Sequence, residues 1–128
     1  MVVHAVPGEP DYKGDVDRVK MDTPERFFST AYAAIGEVFR PLDSVRATQV
    51  AAQALEVYKR RVKFDHDYDD TDTTKLYCTE LVVHAYSQTM SPLKDVHHQH
   101  LHLVGFEADC ILPSDVLGCK DLKQVATF

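Results

Sequence analysis

A chain of 128 residues, 45% of them hydrophobic, encloses one modest core and leaves no room for a second domain. Its formal charge of -6 argues against a nucleic-acid backbone or an anionic membrane as the main partner, and no apolar run is long enough for a membrane span. The three cysteines, Cys78, Cys110 and Cys119, are odd in number and lack metal-site spacing, which argues against a disulfide framework.

Met1 to Val6 reads as a strand interrupted by His4 and closed by the turn signal PGEP. The residues after Met1 do not read as a signal peptide. Asp11 to Arg18 is polar and irregular, and Val19 to Met21 reads as a second short strand. In DTPERFF, Asp22 or Thr23 can cap a helical turn, Pro24 suits its first position, and Phe27 and Phe28 are expected to anchor it to the core. Gly36 to Arg40 is expected to be a strand ended by Pro41. Asp43 or Ser44 then caps the clearest helix of the chain. Ala47, Val50, Ala51, Ala54, Tyr58 and Val62 form its apolar stripe, with Arg46, Gln49, Gln53, Lys59 and Arg60 expected in water. The basic cluster Lys59, Arg60, Arg61 and Lys63 reads as a solvated helix end, with anion binding as its alternative.

From Phe64 to Tyr86 a strand pattern runs through a polar turn into a helix. Phe64, His66 and Tyr68 alternate with Asp65, Asp67 and Asp69, and Asp69 to Thr74 are turn and cap residues. From Cys78 onward Leu81, Val82, Ala85 and Tyr86 recur at helical spacing. A cysteine at that helix start has the positive end of the helix dipole beside its sulfur, which favours the nucleophilic thiolate. The backbone N–H of Cys78 or Thr79 could then help bind an oxyanion, and Tyr77 could line the pocket or belong to the core. Glu80 reads as a capping or pairing residue, four positions before His84.

Beyond that helix, Ser91 and Pro92 break the chain, Val96 to Phe106 alternates as a strand, and Pro113 to Leu117 and Asp121 to Val125 read as short helical turns. Cys110 and Cys119 read as small buried hydrophobes. Two metal patterns compete for the polar residues. Asp65, Asp67, Asp69, Asp70 and Asp72 resemble a calcium loop, but Asp70 stands where the tight turn requires glycine and Leu76 where a bidentate Glu is required. On a strand His98, His100 and His102 would share one face, with His97 nearby, and could hold zinc, although no cysteine or carboxylate completes the set at close spacing.

The order VVHAVPG, TPERFF, a long Ala-rich helix, FDHDYD, KLYCTELVVHAY and ILPSDVLGCKDL resembles the circularly permuted papain-like cysteine hydrolases of the YiiX type, relatives of the NlpC-like cell-wall peptidases. The resemblance spans nearly the whole chain and implies a single α+β domain, 1–128. It would hold an antiparallel sheet with the nucleophile helix packed on it, and a Cys, His and polar catalytic set needing no cofactor. In that family the catalytic histidine stands in a strand like SHVGI, and the next strand supplies the orienting polar residue. Here Met1 begins at that next strand, so the domain is expected to be N-terminally incomplete relative to the family, with an exposed sheet edge open to self-association. By alignment His4 falls on the orienting position. Either the base lies outside these residues, or His4 serves as the base itself, or the protein is catalytically dead. Three functions follow: a thiol hydrolase or acyltransferase using Cys78 on a peptide, cell-wall or lipid amide or ester; a non-catalytic binding module; and a zinc protein using His97 to His102.

Overall fold

The computed structural model describes residues 1–90 and 92–128, so Ser91, half of the expected chain break, lies outside the described residues. In chain order the elements are β1 (Val2–Ala5), β2 (Val19–Asp22), α1 (Pro24–Phe27), β3 (Glu37–Pro41), α2 (Ser44–Lys59), β4 (Lys63–Phe64) and β5 (Lys75–Leu76). They continue with α3 (Cys78–Ser87), β6 (Gln99–Leu103), β7 (Phe106–Cys110), α4 (Pro113–Leu117) and β8 (Leu122–Thr127). This is an α+β arrangement of short helices and small sheets. Among the described residues no helix is long and apolar enough to cross a membrane.

β1 and β2 pair antiparallel, with Val2 opposite Asp22 and His4 opposite Lys20. An isolated antiparallel bridge between Arg18 and Lys63 joins β2 to β4, which pairs with β5 in parallel. β3 pairs with β8, and β6 with β7 through a tight turn in which Gly105 takes φ +80°, a conformation glycine adopts without steric cost. α2 and α3 lie against each other and cover β1. Between them sits a core of Ala5, Val19, Val57, Phe64, Leu76, Tyr77, Leu81 and Cys110. Burying a leucine such as Leu81 there is worth roughly 2 kcal/mol, so this core fixes the start of α3 against the sheet.

Local signals account for most of the helix starts. Thr23 accepts the Arg26 N–H at 3.3 Å to open α1, and Asp43 accepts the Val45 N–H at 2.8 Å to open α2. α2 closes on Arg61 at φ 57°, a left-handed position where glycine is usual.

Four sequence expectations are corrected. The strand expected from Phe64 to Tyr68 ends at Phe64, because the Asp65 carboxylate accepts the N–H groups of Asp67 at 3.0 Å and Asp69 at 2.7 Å. That side-chain cap turns the backbone and puts Tyr68 at φ 54°. Asp121 to Val125 is not a helical turn, since Leu122 to Thr127 extends along β3. Arg46, expected in water, is buried; it lies 3.6 Å from Asp121 and stacks over the Tyr86 ring at 5.0 Å, tying α2 to the start of β8. Phe27 is partly buried as expected, but Phe28 is exposed and meets Phe128 edge to face at 5.1 Å.

Candidate active site

Cys78 is the first residue of α3, as the spacing predicts, and its side chain is exposed. Tyr77, the N-cap, is held extended at φ -90° and ψ 179°, and its N–H donates to the Glu80 carboxylate at 3.2 Å. The first intrahelical bond comes only at Leu81, whose N–H donates to the Tyr77 carbonyl at 2.9 Å. The N–H groups of Cys78 and Thr79 therefore lie in the helix turn that has no intrahelical acceptor, next to the sulfur.

The two residues flanking Cys78 are both clamped to the backbone of one distant residue, Ile111. The Ile111 N–H donates to the Tyr77 hydroxyl at 2.8 Å, and the Thr79 hydroxyl donates to the Ile111 carbonyl. Ile111 directly follows β7, so the end of that strand fixes the nucleophile's backbone from both sides. Tyr77 is thus a core residue, 1% exposed, while one side of its ring lines a cavity of about 210 Å³ shared with Cys78, Thr79, Phe106 and Cys110. The Thr79 side chain is spent on the clamp, which leaves only its backbone N–H for an oxyanion.

His4 stands on β1 beside α3. Being opposite Lys20, it reaches the diagonal neighbour Asp22 on the same sheet face, with Nε2 2.9 Å from Asp22 Oδ2. A carboxylate only accepts, so Nε2 carries the hydrogen of the neutral imidazole and Nδ1 the lone pair. The Phe27 ring lies 5.2 Å away at 60°, and Arg26 Nε approaches the other oxygen of Asp22 at 3.4 Å. His4 and Cys78 line one cavity of about 440 Å³, walled mainly by apolar residues of α2 and α3. Among the described residues no hydrogen bond joins the Cys78 sulfur to His4.

Asp22 is the functional candidate that sequence reasoning missed, since it was read only as a helix cap. The alternation of His4 with Val3 and Ala5, and of Asp22 with Met21, was visible, but not the register that opposes the two strands. Glu80, read as a cap, caps as expected and is buried. Burial pushes its carboxyl up to about 7, against the pull of the Tyr77 N–H and aided by Asp65, Asp70 and Asp72. Burial, with a smaller push from Arg60, lowers His84, and burial raises the thiols of Cys110 and Cys119. Both of those cysteines are 3% exposed, as small buried hydrophobes should be.

The histidine run does not converge on one point. His100 Nδ1 is 2.7 Å from Asp109 and His102 Nδ1 2.5 Å from Glu107, each a cross-strand pair of the β6–β7 hairpin, while His98 precedes β6 and meets Asp70. The acidic loop is bridged from within by one cation: Lys75 Nζ lies 3.2 Å from Asp67, 3.7 Å from Asp72 and 3.9 Å from Asp65. Among the described residues no group of three or more ligating side chains could hold a metal ion. Chelator is therefore expected to leave the melting temperature unchanged, and added zinc not to raise it. A zinc-dependent rise lost in His100→Ala would restore the zinc reading. No family model, no curated protein and no solved structure matches the chain, so the chemistry of this site rests on its own geometry.

Proposed function

We propose that the protein is a permuted papain-like thiol hydrolase or acyltransferase that opens amide or ester bonds through an acyl-enzyme at Cys78. One observation carries this reading: an exposed cysteine at a helix N-terminus shares a cavity with a histidine already held by a carboxylate. His4 Nδ1 takes the thiol proton as sulfur attacks the substrate carbonyl, and Asp22 holds the imidazole and balances the charge it gains. The developing oxyanion is met by the N–H groups of Cys78 and Thr79. The imidazolium then protonates the leaving amine or alcohol. Water, or an acceptor nucleophile, releases the acyl group by the reverse route. In this reading His4 is the base and Asp22 the orienting group, one place along from the roles that the family alignment implies.

A second reading, a binding module without turnover, draws on the lack of a hydrogen bond between Cys78 and His4. Alkylation with iodoacetamide, followed by peptide mapping, separates the two. The hydrolase reading expects Cys78 to be labelled well before the buried Cys110 and Cys119, and nitrophenyl ester turnover to vanish with that labelling. Prior labelling of Cys110 or Cys119 with no ester turnover would leave only the binding module, and turnover that survives full modification of Cys78 would remove Cys78 as the nucleophile.

A further inference from the structure

The outer edge of β1 carries unpaired backbone groups into an apolar cavity. The Val19 N–H donates to the Val62 carbonyl at 2.9 Å and the Phe64 N–H to the Asp17 carbonyl at 2.9 Å, so the Val19 N–H, and with it the strand side that its C=O shares in extended backbone, faces away from β1. Ala5, opposite Val19, then belongs to a pair that exchanges no hydrogen bonds. Antiparallel pairs alternate, so His4 and Lys20 exchange both bonds and Val3 and Met21 exchange none. The N–H and C=O groups of Val3 and Ala5 therefore point outward from the sheet. Val3, His4, Ala5 and Val6 all line the cavity of about 440 Å³, which four consecutive strand residues do only when the strand presents its edge. Among the described residues no backbone hydrogen bond joins that edge to another segment, although Ala5 is only 6% exposed. Backbone groups in such surroundings are nearly always paired.

The facing wall is apolar. Leu81, Val82 and Ala85 follow Cys78 on one face of α3, and Val50 and Ala54 of α2 complete it. An aliphatic chain would suit this wall but leave the edge of β1 unpaired. An extended peptide suits both, pairing its main chain with Val3 and Ala5 and turning alternate apolar side chains toward α2 and α3.

We infer that this groove binds an extended peptide with alternate apolar side chains as an added strand on β1, delivering it to Cys78. Delivery for cleavage rests on the hydrolase reading; the docking does not. The test uses Cys78→Ala protein and a fluorescein-labelled hexapeptide of alternating Val and Thr, followed by anisotropy and by amide exchange. Binding is expected to slow exchange at Val3 and Ala5, whereas His4 is slow already. N-methylation of one alternate set of peptide nitrogens should weaken binding roughly tenfold or more, and methylation of the other set should have little effect. Val82→Asp, a half-exposed position that tolerates charge in the fold, should weaken it comparably.

Equal effects of the two methylations, displacement by decanoate without change at Val3 and Ala5, or protection there that grows with protein concentration in the absence of peptide would each overturn the assignment. The last would place a second copy of the chain on the edge. Edge binding with no turnover by the wild type would sink the hydrolase reading and leave the groove assignment standing. Ester turnover with no edge binding would do the opposite.

Discussion

His4→Ala is expected to lower ester or amide turnover by roughly a hundred- to ten-thousandfold, the range associated with acid-base assistance, with the fold intact. His4 lies at a cavity wall, with its ring against Phe27 and its Nε2 bonded to Asp22, so the substitution enlarges a space that is already open. Cys78→Ala should remove turnover altogether. Residues that act as one unit are strongly non-additive, so the double variant should be no slower than Cys78→Ala alone. Asp22→Asn isolates the orienting role. It keeps the size of the side chain but can turn an N–H toward Nε2, which favours the tautomer with its lone pair on the wrong nitrogen. Its turnover should fall by at least tenfold, and Asp22→Glu should recover part of that loss where Asp22→Ala does not. The measurement is kcat and KM for each variant on one nitrophenyl ester, with circular dichroism as the check on folding. The expected loss falls in kcat, because none of these changes removes apolar surface that holds substrate. Turnover of His4→Ala within twofold of the wild type would remove His4 as the base.

Stability should fall as pH rises from about 4.5 to about 7 through Glu80. Its carboxyl titrates at about 7 in the folded protein against an ordinary value of 4.5, chiefly because burial disfavours the charge. Across that window the folded state holds a proton that the unfolded chain has lost, so the contribution is complete below 4.5 and is lost by about pH 7. The full effect is on the order of 3 kcal/mol, a large part of the stability of a domain this size. Glu80→Gln keeps an acceptor for the Tyr77 N–H and cannot ionise. Urea unfolding of both proteins should give equal stabilities near pH 4.5 and a more stable variant at pH 8. Taking the difference between the two removes opposing contributions from carboxyls held low, such as Asp69 and Asp115. A difference that stays constant from pH 4.5 to 8 would show that folding does not raise the Glu80 carboxyl. The linkage also reaches the candidate site, because Glu80 caps the helix turn that carries Cys78.

What the sequence determined by itself were the features written in neighbouring residues. The start of α1 at Asp22 or Thr23 before Pro24, the start of α2 at Asp43 or Ser44 and the position of Cys78 at the head of α3 depend on capping and helical spacing, which act within one or two turns, and the structure chose Thr23 and Asp43. The burial of Cys110 and Cys119 follows from their small apolar character. The tertiary structure alone decided what depends on register and on distant partners. His4 meets Asp22 only because β1 and β2 pair with Val2 opposite Asp22, a register set across the loop between them and by the strand beyond. Tyr77 and Thr79 became clamps because the end of β7 brings Ile111 against both. Arg46 left the water for Tyr86 and Asp121, an energy balance invisible to helix periodicity. The alternation from Phe64 to Tyr68 lost to the Asp65 side chain, which satisfies two backbone N–H groups locally where no neighbouring strand continues to pair them.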